Sequence, residues 1–340
     1  MVTHNYNQLI LIENLFQAWS EFRKGKRKRK DVQAFERNLE DNLFDLHYKL
    51  KSKTYQHGTY HSFYVQDPKQ RHIHKAKVAD RVVHHLLYKY LYQTFDKTFI
   101  YDSYSCRLDK GTHKGIRRLE KFTRIVSKNY SRQCWALKLD IKKFFASVDN
   151  QTLTKNLEKK IQDQDILWLL SEVINSFPKG MPLGNITSQV FANIYMNELD
   201  QFIKHKLRVK YYLRYADDLI ILSSCSNDLN QWIKQIEQFL KRNLKLELHP
   251  SKIIIRKLDW GIDFLGYIVL PHYILPRTKT KKRIFKKLKS KVCCNDSYHF
   301  NQSVQSYLGY LSHANAYKVQ QELRNLTWLF SEKIKYWTYN

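Results

Sequence analysis

Residues 211–222, YYLRYADDLIIL, are two short apolar runs broken by adjacent aspartates. Runs of this length about a central Ala-Asp read as two strands of a tight antiparallel hairpin, which commits the middle of the chain to sheet. Aspartate is a poor strand residue, so a pair at Asp217 and Asp218 needs a reason. A hairpin tip offering carboxylate oxygens to a cleft suits a hard cation such as Mg²⁺; a solvated turn would also accept aspartates. A second segment, CWALKLDI at 134–141, alternates like a half-buried strand and delivers another carboxylate, Asp140, at its end. Two-metal phosphoryl transfer needs carboxylates from separate strands, holding ions about 3.5–4 Å apart. Asp140, Asp217 and Asp218 together meet that demand, although Asp140 would also serve as the cap of a following turn.

Around this centre, strands and helices alternate between mainly helical flanks. Helices are expected over 8–22, 31–52, 76–95, 187–206 and 228–245, and the final fifty residues are helical in pattern. Tyr60 to Val65 alternates rings with polar residues as a strand does, and Asp67-Pro68 marks a turn. Pro178 to Gly184 reads as a loop, and IDFLGYIVL at 262–270 as a strand. The expected class is α+β with an antiparallel element at the aspartate hairpin.

Hydrophobic residues make up 43% and aromatics 14%, a globular balance. Lys+Arg is 59 against Asp+Glu 31, a net +28, which favours a polyanionic partner: nucleic acid first, an anionic membrane surface second. The excess is concentrated in Arg23 to Lys30 and in Arg277 to Lys291, which has nine Lys or Arg and no acid. The five cysteines contain no C-x-x-C pair, so neither a zinc ribbon nor a disulfide framework is implied. No apolar run spans a bilayer, and MVTHNYNQLILIENLF lacks the basic start and small-residue cleavage site of a signal peptide, so a cytoplasmic protein is expected.

The segments LKLDIKKFFASVD and YADD resemble the palm motifs of reverse transcriptases. That resemblance implies an α+β right-hand polymerase fold: an N-terminal helical extension (1–55), fingers (56–133), a palm (134–270) and a basic helical thumb (271–340). It implies RNA-directed DNA synthesis with two Mg²⁺ ions, Mn²⁺ being a substitute, on Asp140, Asp217 and Asp218. Phe145 matches the ring that blocks a ribose 2′-hydroxyl and so favours dNTPs. Lys69 and Arg71, in DPKQRHI, match the finger cations that grip the incoming triphosphate; a guanidinium suits phosphate oxygens. Lys252, in HPSKI, resembles a lysine that protonates the leaving pyrophosphate. Tyr215 and the segment Phe264-Leu265-Gly266-Tyr267 match primer-contacting elements. Lys281, Lys282, Arg283, Lys286 and Lys287 match a thumb laid along the RNA–DNA duplex, where cations meet phosphates without reading sequence.

One departure narrows the resemblance. Most reverse transcriptases carry Pro-Gln-Gly before the palm helix; here Leu183 replaces the glutamine and Ser188-Gln189 follows. This is similar to the reverse transcriptases of diversity-generating retroelements, which are bacterial or phage-encoded and miscopy template adenines. DRVVHHLL (80–87), DSYSCR (102–107), KGTH (110–113) and SYLGYLSHANAY (306–317) agree with it. Leu183 and Gln189 then fall near the nascent base pair. Leucine cannot hydrogen-bond sugar or base, so a mispaired geometry loses less. The resemblance also implies a small basic ring-forming accessory protein. The about seventy residues after Leu270 are expected to form the thumb, without RNase H or endonuclease. Two alternatives stand: a retron-type or group II intron-like enzyme without a mutagenic role, and a nucleic-acid-binding module on a dead polymerase fold.

Overall fold

The computed structural model describes residues 5–66, 69–293 and 297–338; the expected Asp67-Pro68 turn and Cys294 lie outside them. Nine strands form three antiparallel sheets among the described residues. β1 (His61–Gln66) and β2 (Gln70–Lys75) make a two-stranded ribbon. β3 (Trp135–Asp140), β4 (Tyr212–Tyr215), β5 (Asp218–Ser223) and β6 (Ile254–Lys257) form the central sheet in the order β4-β5-β3-β6. β7 (Ile262–Phe264), β8 (Tyr267–Leu270) and β9 (Tyr273–Pro276) form the third sheet.

The central sheet is covered on both faces, which is why β5 reads LIIL rather than alternating with polar residues. Leu137, Leu139, Leu219 and Ile221 enter the main core, where helix Ser226–Leu244 packs on β3 and β5. Ala136, Ile220 and Leu222 enter a second core with helix Thr112–Val126 and the third sheet. The N-terminal helix Ile12–Arg23 buries Leu15, Trp19 and Phe22 in the main core against Val78–Phe95. Helices Thr278–Cys293, Ser297–Leu311 and Tyr317–Thr338 enclose a third core around Ile284, Leu288, Phe300 and Leu323. That unit meets the third sheet through Tyr310, whose hydroxyl donates to Gly266 O (2.5 Å) and whose ring stacks on Tyr267. No helix among the described residues is long and apolar enough to cross a membrane.

Three expectations are corrected. The helix over 8–22 is two, Tyr6–Leu9 and Ile12–Arg23, because the Asn14 amide donates to the carbonyls of Gln8 (2.8 Å) and Leu9 that the helix would otherwise use. The helix over 31–52 parts at Asn38, and Asn42 likewise donates to Phe35 O (3.0 Å). The strand over 262–270 is a hairpin. Leu265 and Gly266 both have positive φ (47° and 91°), the two-residue turn whose twist suits paired strands.

Two close approaches set the loop before helix Ile186–Gln201. Gly180 has φ 73°, and a Cβ there would lie 2.3 Å from Phe145 O, so only glycine fits against the short helix Phe144–Ser147. His74 N donates to Leu183 O (2.9 Å), which ties the ribbon's foot to this loop. A buried polar seam lies beneath: His84 bonds Thr187 Oγ1 through Nδ1 (2.7 Å) and His57 through Nε2 (3.1 Å). Burial pushes the His84 imidazole down to about 3, so it stays neutral and can accept as well as donate.

At the foot of the aspartate hairpin, Arg214 is fully buried. Its Nε and Nη2 donate to the two Asp200 oxygens (2.9 and 2.7 Å), and Nη1 donates to Asn193 Oδ1 and Ala216 O (both 3.1 Å). Tyr212 OH donates to Asp200 Oδ1 (2.7 Å). Removing one partner strands a buried charge, so Arg214→Leu should cost about 3–5 kcal/mol in urea unfolding. Adding Asp200→Leu should recover part of the loss, and equal losses for the single and double variants would show that the pair is uncoupled.

Candidate active site

Register brings two of the three carboxylates together. Asp140, the last residue of β3, pairs directly with Asp218, the first of β5, and Asp218 also pairs with Tyr215 of β4. Residues facing each other across a ladder have Cβ atoms about 4.5–5.5 Å apart, and like charges there repel. Alternation puts Asp140 and Asp218 on the face that Lys138 and Tyr215 share, while Arg214 and Leu219 point the other way, into the core. Asp217 sits in the two-residue turn beside them, after Ala216 at φ 52°. A non-glycine residue in the left-handed region is strained; here the Arg214 bond to Ala216 O holds it.

Two lysines meet this negative charge. Lys252 Nζ donates to Asp140 Oδ1 at 2.6 Å, and Lys138 Nζ lies 3.8 Å from Asp218 Oδ1 while donating to Asp263 O (3.1 Å). Lys252 is placed by its own short helical turn, Pro250–Lys252, next to His249, whose N–H donates to Asp140 O (2.8 Å). Burial, then the neighbouring charges of Asp218 and Asp140, push the Asp217 carboxyl up to about 6. Burial raises Asp218 as well, with Lys138 opposing. Carboxylates that raise one another want a cation, and their oxygens are the donors hard divalent ions take. In kind, the donor set fits such an ion. Among the described residues, however, no three His, Cys, Asp or Glu side chains already converge as a metal cluster, and Lys252 neutralises Asp140 directly.

The remaining predicted residues surround this centre to different degrees. Phe145 is half-buried, edge-on to the buried Phe144 (5.3 Å), and its carbonyl accepts from Met181 N (2.7 Å). Leu183 is half-exposed, and Gln189 is exposed and lines a cavity of about 340 Å³ with Lys26, Arg29 and Lys75. Lys69 and Arg71 stand exposed at the free end of the ribbon and form no ion pair with the carboxylates. Phe264 is buried, and Leu265 and Gly266 form the hairpin turn beside Lys138's partner Asp263. On helix Thr278–Cys293, Lys282 and Lys286 are exposed, and Lys281, Arg283 and Lys287 are half-buried. Three supporting residues escaped the sequence reading: Arg214, Asp200 and Asn193. A lone arginine inside YYLRY was a usable signal, since a charge in an apolar strand requires a buried partner.

The raised Asp217 sets a pH test. A carboxyl with its folded value near 6 and its ordinary value at 3.8 binds more protons folded than unfolded. Its favourable contribution is complete below about pH 3.8 and is lost as pH rises through about 6. In chelator, Asp217→Asn should therefore raise the melting temperature at pH 7.5, by about 2–4 °C per kcal/mol of relieved repulsion, and give no gain near pH 4. An equal shift at both pH values would contradict this electrostatic account.

Comparison with known proteins places this geometry in a lineage. The family model described as "Reverse transcriptase (RNA-dependent DNA polymerase)" matches residues 66–269, more than half of the chain. The chain is 23% identical over 307 residues to the group II intron-encoded protein LtrA of Lactococcus lactis subsp. cremoris, covering 67% of this chain and 49% of that protein. It is 29% identical over 203 residues to the retron Ec73 reverse transcriptase of Escherichia coli, covering 53% and 62%. It therefore spans less than two thirds of either relative. An apo telomerase from Candida tropicalis superposes with a TM-score of 0.53 at 12% identity, over 82% of this chain and 58% of that one. The fold is thus the α+β right-hand polymerase fold with antiparallel sheets, and the chain belongs to the reverse transcriptase (RNA-dependent DNA polymerase) family.

Proposed function

We propose that the protein is an RNA-directed DNA polymerase that copies a template RNA into cDNA. The observation that carries this reading is the ladder pairing of Asp140 with Asp218 beside the strained tip that presents Asp217. Two Mg²⁺ ions held by these carboxylates, or Mn²⁺ in their place, would activate the primer 3′-hydroxyl and neutralise the leaving pyrophosphate. Lys252, whose Nζ donates to Asp140 Oδ1 (2.6 Å), is the residue that would serve the leaving pyrophosphate as a proton donor. Phe145 stands as the ring against a ribose 2′-hydroxyl. Lys69 and Arg71 meet the triphosphate, with Leu183 and Gln189 near the nascent pair. Tyr215 and Phe264-Leu265-Gly266 hold the primer, and Lys281, Lys282, Arg283, Lys286 and Lys287 lie along the duplex. In this reading residues 1–55, 56–133, 134–270 and 271–340 are extension, fingers, palm and thumb, in a cytoplasmic enzyme.

On a primed RNA template with Mg²⁺ and dNTPs, the protein should extend the primer, and Asp217→Asn should cut the rate by about 10²–10³-fold without loss of fold. Phe145→Ala should raise rNTP incorporation relative to dNTP. Full extension by the Asp217→Asn variant would overturn the site, and an unchanged sugar ratio would make Phe145 a packing residue only.

The finer reading is a diversity-generating enzyme, which miscopies adenine and works with a small basic accessory protein; it rests on Leu183 and Ser188-Gln189. The retron and group II relatives fit equally the plainer alternative of a reverse transcriptase without that role. Sequencing cDNA from one template separates them. Leu183→Gln should lower errors opposite adenine, and a tenfold change needs only about 1.4 kcal/mol, within one hydrogen bond. An identical adenine error rate in both proteins would remove Leu183 from the account.

A further inference from the structure

Helix Thr112–Val126 carries a second concentration of positive charge that the polymerase site does not use. Its inner face, Ile116, Leu119 and Phe122, is buried in the second core. On the outside, Lys114, Arg117, Lys121, Arg124 and Lys128 follow one another at steps of three and four. That spacing lines the first four along one side of the helix, a stripe about 15 Å long at 1.5 Å per residue, and Lys128 follows just past the helix end with a positive φ of 48°. All five are exposed. None forms an ion pair among the described residues, whereas Arg118, on another face, is tied to Asp102 (2.8 Å). The stripe borders a groove of about 1010 Å³ to which Glu120 contributes the one carboxylate. The far wall is His272, in the β8–β9 turn, whose ring packs on Tyr130 at 4.5 Å.

The groove runs away from the aspartates. Near the start of the helix, Gly115 allows close contact: a Cβ there would lie 3.3 Å from Leu265, in the hairpin turn beside the site. At the other end, residues 127–133 lead back into Trp135, the residue of β3 farthest from Asp140, about 17 Å along the strand. The cations therefore form a track from the edge of the catalytic sheet to its opposite end. Holding like charges together without counter-charges is unfavourable unless a polyanion covers them. A protein partner is a poor fit, because Ile125 is the groove's one exposed large aliphatic side chain and interface cores are apolar. The half-exposed Tyr130 beside His272 adds a surface on which an unpaired base can stack.

We infer that this groove binds single-stranded or loop RNA outside the catalytic cleft, so that the enzyme grips its RNA at a second place while copying elsewhere. The inference does not depend on the catalytic assignment, because binding alone tests it. The full chain would be saturated with a short primer–template duplex. A labelled single-stranded oligoribonucleotide would then be titrated in, at several salt concentrations. The variant Lys121→Glu/Arg124→Glu/Lys128→Glu should bind this second RNA at least about tenfold more weakly. Its log–log salt slope should flatten by about 0.7 per lost phosphate contact, roughly 2 in all. Affinity for the short duplex, and extension of its primer, should stay as in the parent protein. The triple glutamine variant should show the same slope change with a smaller loss, which guards against misfolding of the charge-reversed protein. Unchanged affinity and slope for the second RNA would overturn the inference. So would an equal loss of duplex binding, which would make the groove part of the cleft, or lost adhesion to phosphatidylserine vesicles with RNA binding intact, which would make it a membrane surface. Failure of the parent protein to extend any primer would count against the polymerase reading and leave this comparison standing.

Discussion

The buried Arg214–Asp200 pair is the constraint on which the aspartate hairpin depends. Strand β4 delivers the guanidinium, helix Ile186–Gln201 delivers the carboxylate, and neither has water to fall back on. All of the strong bonds around the pair converge on one place. Arg214 N–H donates to Asp102 O (2.9 Å), Tyr104 N–H donates to Arg214 O (2.9 Å), and Asn193 Nδ2 donates to Ser105 O (2.9 Å). The helix, the central sheet and the segment 102–105 are therefore locked at one point. Burial of the Tyr212 hydroxyl beside Asp200 lifts it well above its usual range, so it remains a donor. A network this dry is unforgiving, because every group left without a partner keeps its full desolvation cost. That stiffness lets Ala216 hold a left-handed conformation two residues away.

Charge is distributed to suit the same end. Two acidic groups share one face of the sheet, with a third in the adjoining turn, in a chain with a net charge of +28. Lys252 and Lys138 hold two of them, while burial and then the charge of Asp218 raise the Asp217 carboxyl. The basic surroundings attract polyanions broadly, and the acidic spot attracts cations. The two fields complement each other only because the register keeps Asp140 and Asp218 on one face and away from the exposed lysines of the helices.

Much of this was legible in the sequence, and the rest was hidden for definite reasons. Asp140, Asp217 and Asp218 stand out because charges interrupt apolar strands. Arg214 gives the same signal, but its partner, fourteen positions earlier at the end of a helix, is a tertiary fact that periodicity cannot supply. The second ribbon strand, QRHIHK, was invisible because a ribbon solvated over most of both faces has no core side to imprint alternation. The helix breaks near Asn14 and Asn42 depend on side-chain amides reaching back to carbonyls, a choice made only in three dimensions. Lys252 was placed by resemblance on the leaving group, and in the fold it rests on Asp140. The donor atoms for a divalent ion were readable, but their arrangement was not.

The pairing of Asp140 with Asp218 has an evolutionary corollary. Side chains on a strand alternate with a period of two, so one residue gained or lost inside Trp135–Asp140 or Asp218–Ser223 would exchange the faces of everything beyond it. The acids would then be driven into the leucine core, and Leu139 or Leu219 would be thrown into the cleft. A change of length is therefore easier to accommodate in a connection, such as the segment from 127 to 133, than inside either strand. A substitution in either strand leaves the facing of its neighbours intact, whereas a change in residue count does not.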